Sequence, residues 1–144
     1  MLKIPRRDYA AIRRHAEEAY PHECCGILVG TVEGDTRTVK FTVRCHNTHT
    51  DSPHNRYQID PRELIRVQRE ARERGLEIAG FYHSHPDHPA QWSSIDLQEA
   101  HWVGCSYVIT SVEHGKAGLT KSFVLAGTLE EDKALVEEQL AISD

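Results

Sequence analysis

The sequence predicts an α/β domain of three layers, in which a mixed sheet lies between helices. Segments with apolar residues at helical spacing alternate along the chain with short apolar or alternating segments that are typical of strands. Residues 76–84 are apolar on both faces, as expected of a central strand covered by helices. The composition agrees with a globular domain, because 39% of the residues are hydrophobic and 27% are charged.

The first third of the chain is predicted to form a helix and two paired strands. Pro5 suits the opening turn of a helix over 5–20, and Pro21 ends it. The apolar run 26–30 is typical of a buried strand. Residues 36–45 alternate between apolar and polar side chains, which predicts a half-buried strand that pairs with the preceding one.

A second helix is predicted to follow a polar loop and a brief strand at 57–59. Asp60 is suited to the N-cap, Pro61 to the first helical position, and Glu63 to completing a capping box. Gly75 is the expected C-terminal stop.

The second half of the chain is predicted to contain a strand, a helix, a hairpin and a terminal helix. The two prolines between 85 and 92 indicate a loop between the first two of these elements. The predicted elements are a strand over 76–84, a helix over 93–102, strands over 105–112 and 119–126, and an amphipathic helix over 129–142.

Length and charge narrow the class of protein. The 144 residues fit one domain spanning 1–144. A net charge of −5 argues against a nucleic-acid partner, which favours a basic surface. No run of about 18 apolar residues and no secretory signal pattern is present, so we expect no membrane partner and a cytoplasmic location. The four cysteines lack metal or disulfide spacing and are predicted to be buried reduced thiols.

One short region carries residues that could hold a metal ion. His83 and His85, two positions apart on a predicted strand, point to the same face. Asp96 follows in the first turn of the next predicted helix, where the helix dipole favours an anionic ligand. Two histidines and one carboxylate leave a tetrahedral position open, which is typical of catalytic zinc. The pattern therefore predicts one Zn²⁺ per chain.

Such an ion would activate a water molecule, and two further residues are candidates to assist it. Glu23 could accept and return the proton of that water, and Ser93 could donate a hydrogen bond to a developing oxyanion. Each residue also has a purely structural explanation. His83 could be a core histidine, and Ser93 and Asp96 could form only a capping box.

Three segments resemble the JAMM, or MPN+, zinc metalloproteases. The segment 23–30 reads Glu-Cys-Cys-Gly-Ile-Leu-Val-Gly, 83–86 reads His-Ser-His-Pro, and 93–96 reads Ser-Ser-Ile-Asp. The family signature is a glutamate, then x-Cys-Gly followed by apolar residues and glycine, then His-Ser/Thr-His-Pro, then Ser-x-x-Asp. The resemblance covers residues of about 20 to 125 and implies a cytidine-deaminase-like fold.

The resemblance also implies roles and a substrate. It implies that His83, His85 and Asp96 bind zinc, that Glu23 is the acid/base, and that Ser93 supports the oxyanion. The implied reaction is hydrolysis of the peptide or isopeptide bond after the C-terminal Gly-Gly of a ubiquitin-like protein. The compact chain looks like the stand-alone prokaryotic members, which implies a sulfur-carrier protein as partner.

Other functions fit the sequence less well. A non-catalytic MPN-type protein-binding scaffold is the main alternative, but such domains have lost the ligands that are present here. RadC-like proteins share a similar His-x-His-Pro motif, but they look longer and carry a helical DNA-binding segment. A deaminase of the related fold would need His-x-Glu and Pro-Cys-x-x-Cys motifs, and neither occurs.

Overall fold

The computed structural model describes residues 1–127 and 129–144, and this part of the chain forms an eight-stranded sheet with three helices. In chain order the elements are β1 (Leu2–Pro5), α1 (Arg6–Ala19), β2 (Cys25–Glu33), β3 (Thr36–Cys45), α2 (Pro61–Glu73), β4 (Glu77–Pro86), α3 (Ser94–Glu99), β5 (Ser106–Glu113), β6 (Lys116–Ala126), β7 (Ala134–Glu138) and β8 (Leu140–Ser143).

The sheet is mixed and strongly curled. Its strand order is β7-β6-β5-β4-β2-β3-β1-β8. β4 and β5 are parallel, as are the pairs that β1 forms with β3 and β8, whereas the remaining neighbours are antiparallel. β7 and β8 form opposite edges of the sheet although only Gln139 separates them, so the sheet must bend back on itself.

Two apolar cores lie on the two faces of the sheet. Ile12 of α1 packs in the core that contains Leu28 of β2. Val67 of α2 packs in the other core, with Ile27 and Phe81. Ile27 and Leu28 are neighbours on one strand and therefore point to opposite faces. The predicted three-layer α/β arrangement is thus confirmed.

Several predicted helix boundaries are confirmed, and others move by a few residues. Asp60 caps α2 by accepting from the backbone N–H of Arg62 at 2.9 Å, and Pro61 opens the helix. Glu63, which was predicted to complete a capping box, instead forms an ion pair with Arg66 at 2.7 Å. The third helix ends at Glu99 rather than at residue 102.

The N-terminal strand was not predicted, and the brief strand at 57–59 does not form. Leu2 and Ile4 are buried in β1, which lies between β3 and β8, and the helix begins only at Arg6. Residues 57–59 contain Tyr57, which packs against the core from a loop without a strand partner in the described part of the chain. Whether a segment forms a strand depends on whether a neighbouring strand is free to pair with it. Local propensity does not carry this information.

The predicted terminal helix over 129–142 is wrong, because residues 134–138 and 140–143 form two strands. The side chain of Glu138 is buried and meets Arg37, which lies on β3. The apolar residues of this segment do not alternate strictly, so local periodicity does not indicate a strand. Pairing with β6 and β1 selects the strand conformation, and this pairing depends on distant parts of the chain.

Two further expectations concern the cysteines and membranes. All four cysteines are buried and free, as predicted. Within the described residues, no helix has the length and apolar character needed to span a membrane.

Candidate metal centre

The two histidines of the predicted site converge at the C-terminal end of β4. They are two residues apart on this strand, so their side chains share a face. Both are buried, and the Nε2 atoms of His83 and His85 lie 3.3 Å apart. β4 pairs with β5 at both histidines and with β2 as far as His83, which holds this end of the strand in place.

Asp96 brings the third candidate ligand from the first turn of α3. Its Oδ1 is 3.2 Å from Nε2 of His83, and its Oδ2 is 3.0 Å from Nε2 of His85. Ligand atoms in a tetrahedral zinc site with bonds of 2.0–2.1 Å are about 3.3 Å apart. The three residues thus have both the atom types and the separations that a zinc ion requires.

A capping box at the start of α3 sets the orientation of Asp96. The Ser93 oxygen accepts from the backbone N–H of Asp96 at 3.1 Å, and the Ser93 N–H donates to Asp96 Oδ2 at 2.8 Å. Capping and oxyanion support both involve the Ser93 hydroxyl. The cap uses the oxygen as an acceptor, so the hydroxyl proton stays available to donate.

Neighbouring groups hold the two imidazole rings in place. Nδ1 of His85 is 2.9 Å from the carbonyl oxygen of Pro89, and a proton on Nδ1 leaves Nε2 free to bind a metal. The ring of Tyr57 stacks on His83 with a centroid distance of 4.5 Å. Nδ1 of His83 is buried without a hydrogen-bond partner among the described residues. Sequence analysis assigned no role to Pro89 or Tyr57, although an aromatic residue within a polar loop is a signal that could be used.

The charges of the cluster are interdependent. Burial would raise the pKa of Asp96, but His83 and His85 together hold it well below its usual range. Burial would also lower the pKa of His85, but the hydrogen bond to Asp96 raises it. A carboxylate that stays ionised at this position is the state that a cation requires.

Glu23 lies beside the same cluster, just before β2, and is buried. Its Oε1 atom has no hydrogen-bond partner within the described residues. Burial raises its pKa to about 7, although the charges of His83 and His85 act in the opposite direction. A carboxyl group with this pKa can take up and release a proton near neutral pH.

A cavity of about 310 Å³ brings the predicted catalytic residues to one surface. Glu23, His85 and Ser93 all line it, together with the exposed His88 and the half-buried Trp92. The structure therefore places all five predicted site residues around one cavity or in contact with a residue that lines it. An unpaired buried carboxylate beside a cluster of potential ligands is typical of a functional site.

The family of the chain follows from its sequence. Residues 5–125 match the family model described as prokaryotic homologs of the JAB domain. The match spans most of the 144 residues, and the chain therefore belongs to this family.

Named relatives and solved structures agree with this membership. The chain is 34% identical over 105 residues to a desampylase of Haloferax volcanii, covering 70% of this chain and 73% of the relative. It is 32% identical over 119 residues to a probable TtuB-protein conjugate cleaving protease of Thermus thermophilus, covering 83% and 76%. A solution structure of a Desulfitobacterium hafniense protein has a TM-score of 0.84 at 30% identity and covers 100% of this chain and 94% of its own.

Proposed function

We propose that this protein is a zinc-dependent peptidase or isopeptidase. It hydrolyses the bond that follows the C-terminal Gly-Gly of a ubiquitin-like or sulfur-carrier protein. The observation that carries the proposal is the convergence of three potential ligands beside one cavity with the buried carboxylate of Glu23, whose Oε1 has no partner among the described residues. The names of the relatives support the substrate class, since one is a desampylase and another is a protease that cleaves protein conjugates.

His83, His85 and Asp96 would hold the zinc. In a site with three protein ligands, zinc supplies a nucleophile at neutral pH by lowering the pKa of a bound water to about 7, and it polarises a carbonyl. The contact between His85 Nδ1 and Pro89 keeps Nε2 directed towards the site. Asp96 is held by the backbone N–H of Ser93, which limits its rotation.

Glu23 moves the protons of the reaction. As a carboxylate it accepts a proton from the attacking water at one of its oxygens. As a carboxylic acid it then donates that proton to the amine that leaves. In the metal-free site burial raises the pKa of Glu23 to about 7, which keeps both states within reach near neutral pH. Ser93 donates its hydroxyl hydrogen to the carbonyl oxygen of the substrate as negative charge develops there.

The form of the cavity supports a glycine-rich tail. It has a volume of about 310 Å³, and Trp92, Pro89 and Ile95 contribute apolar walls. Glycine has no side chain, so a Gly-Gly segment can bring its backbone close to the buried side chains of His83, His85 and Asp96 at little steric cost.

Intact mass spectrometry tests the proposal directly. Candidate substrates are sulfur carriers extended beyond Gly-Gly by cysteine or a short peptide, together with an isopeptide-linked ubiquitin dimer. They are incubated with zinc-loaded protein and, in parallel, with the Glu23→Gln variant. Loss of the extension after Gly-Gly by the wild type alone is the expected result. Stable binding without cleavage by zinc-loaded wild type would instead favour a scaffold.

A further inference from the structure

A single half-buried amide, that of Asn47, links the Glu23 segment to the loop that covers His83. Its Nδ2 donates to the carbonyl oxygens of Glu23 at 3.2 Å and of Arg56 at 3.0 Å. Its Oδ1 accepts from the backbone N–H groups of His49 at 3.0 Å and of Gln58 at 3.1 Å. An amide side chain has two donor hydrogens and two acceptor lone pairs, so all of its hydrogen-bonding capacity is used.

Glu23 depends on these contacts because it lies outside the β2 ladder, which begins at Cys25. Its N–H donates to the carbonyl of Pro53 at 2.7 Å, and its carbonyl accepts from Asn47. Both backbone polar groups of Glu23 are therefore bound to the 46–59 loop. Oε1 of its carboxylate has no hydrogen-bond partner among the described residues, so the backbone rather than the side chain determines where the carboxylate lies.

The same amide also fixes Tyr57, the aromatic residue that contacts the His83–His85–Asp96 cluster. Arg56 and Gln58 flank Tyr57, and Asn47 binds the carbonyl of the first and the N–H of the second. The ring of Tyr57 stacks on His83 with an angle of 23° between the ring planes. The Asn47 side chain thus holds the backbone of Glu23, and it also holds the loop that keeps the Tyr57 ring stacked on His83.

We propose that Asn47 is a positioning residue that sets the placement of the Glu23 carboxylate relative to the His83–His85–Asp96 cluster. This inference rests on the proposed function of the site. Asn47 acts through Glu23 and Tyr57 and does not touch the reacting atoms. A displacement of about 1 Å in a group that transfers protons can lower a rate about 100-fold, so small movements of the loop would be visible in kcat.

The test compares Asn47→Ala with Thr48→Val in the full-length, zinc-loaded protein. Thr48 is a matched control, because its Oγ1 donates to the Gln58 carbonyl at 3.0 Å and joins the same two parts of the loop without contacting Glu23. Asn47→Ala should lower kcat about 10- to 100-fold while KM changes less than about threefold. Thr48→Val should leave kcat within about twofold of wild type, and both variants should keep one zinc per chain.

Nuclear magnetic resonance gives a second readout that does not require activity. In Asn47→Ala, the Glu23 amide should exchange with solvent at least about tenfold faster, because the loop that holds it is released. The ring protons of His83 should also shift as Tyr57 leaves its stacked position. Neither change is expected in Thr48→Val. If Asn47→Ala fails to fold, Asn47→Asp serves instead. This variant keeps the oxygen that accepts from His49 and Gln58 but loses the two N–H donors to Glu23 and Arg56.

Three outcomes would overturn the assignment. They are wild-type kcat in Asn47→Ala, an equal loss of kcat in Thr48→Val, or an unchanged Glu23 exchange rate. Failure of the proposed function has a different signature, because the wild type would then cleave no substrate in the panel. The exchange and ring-proton measurements would still decide whether Asn47 positions Glu23.

Discussion

Two buried polar clusters lie at opposite ends of the parallel β4–β5 pair, and they differ in how completely their atoms are paired. At one end, the Arg37 guanidinium donates to Glu138, to the Ser106 hydroxyl and to a backbone carbonyl, at 2.7–2.8 Å. The Glu138 carboxylate also accepts from Ser106 and Ser122. At the other end, beside His83, the carboxylate of Glu23 keeps an oxygen with no partner in the described residues.

The two glutamates show the consequence of this difference. Burial would raise the pKa of Glu138, but hydrogen bonds from Ser106, Arg37 and Ser122 lower it below its usual value. Burial raises the pKa of Glu23 to about 7, because no such donors offset it. A paired buried charge contributes to the fold, whereas an unpaired one costs stability and is typical of a site that performs chemistry.

The largest expected effect is that of Asp96→Ala at the unpaired cluster. Removing this carboxylate should abolish stoichiometric zinc binding and lower kcat/KM at least about 1000-fold, because in the proposed mechanism zinc supplies the nucleophile. Zinc content after dialysis, measured by elemental analysis, checks this expectation. The exposed Asp51→Ala variant is the control. Retention of one zinc per chain would remove Asp96 from the set of ligands.

Glu23→Gln should separate chemistry from metal binding. We expect one zinc per chain to remain while kcat falls about 1000-fold, because general acid–base catalysis is lost and the shape is kept. Single-turnover cleavage of an extended carrier measures the loss, and zinc content is measured on the same sample. Full activity in this variant would contradict the acid/base role.

Arg37→Met should have the opposite profile, with a large loss of stability and little change in chemistry. It leaves the carboxylate of Glu138 buried without its main partner, which should lower the free energy of unfolding by about 3–5 kcal/mol. Urea titration measures this loss. Replacing Arg37 by Met and Glu138 by Leu together should recover much of it. A fall in kcat of folded protein beyond about twofold would contradict a purely structural role for the pair.

Ser93→Ala tests a residue that is expected to contribute both to the chemistry and to the stability of the fold. Loss of the oxyanion donor should lower kcat about 100-fold, and loss of the helix cap should lower stability by about 1 kcal/mol. Ser94→Ala is the control, since Ser94 is exposed at the first position of α3. If kcat is unchanged while stability falls, Ser93 serves only as a cap.

The smallest expected effect is in the pH dependence of stability, where the two glutamates should act in opposite directions. The lowered pKa of Glu138 stabilises the protein above its unfolded-state value of 4.5, and this contribution is lost as the pH falls below it. In protein stripped of metal, the raised pKa of Glu23 makes stability fall as the pH rises from 4.5 to about 7.

Denaturant titrations between pH 3 and pH 8 measure both contributions. Glu138→Gln should reduce the slope below pH 4.5, and Glu23→Gln should reduce the slope between pH 4.5 and about 7, each by at most about 1.4 kcal/mol per pH unit. Two difference curves of the same sign would show that the two carboxylates are not in opposite environments.

The sequence by itself determined the elements whose signals are local. The alternation in 36–45, the Asp60-Pro61 helix start and the Ser93 capping box all formed as predicted, because each depends on neighbouring residues. The His-x-His spacing likewise placed two imidazoles on one face of β4, since the side-chain period of a strand is two.

Only the tertiary structure decided the features that join distant parts of the chain. Residues 134–143 became strands rather than a helix because β6 and β1 offered free edges and Arg37 offered a partner for Glu138. Glu23 reached the His83–His85–Asp96 cluster, sixty positions from His83, because β2 pairs with β4 and Asn47 binds its peptide. Such contacts have no local signature, since strand pairing and burial are set by the assembled sheet.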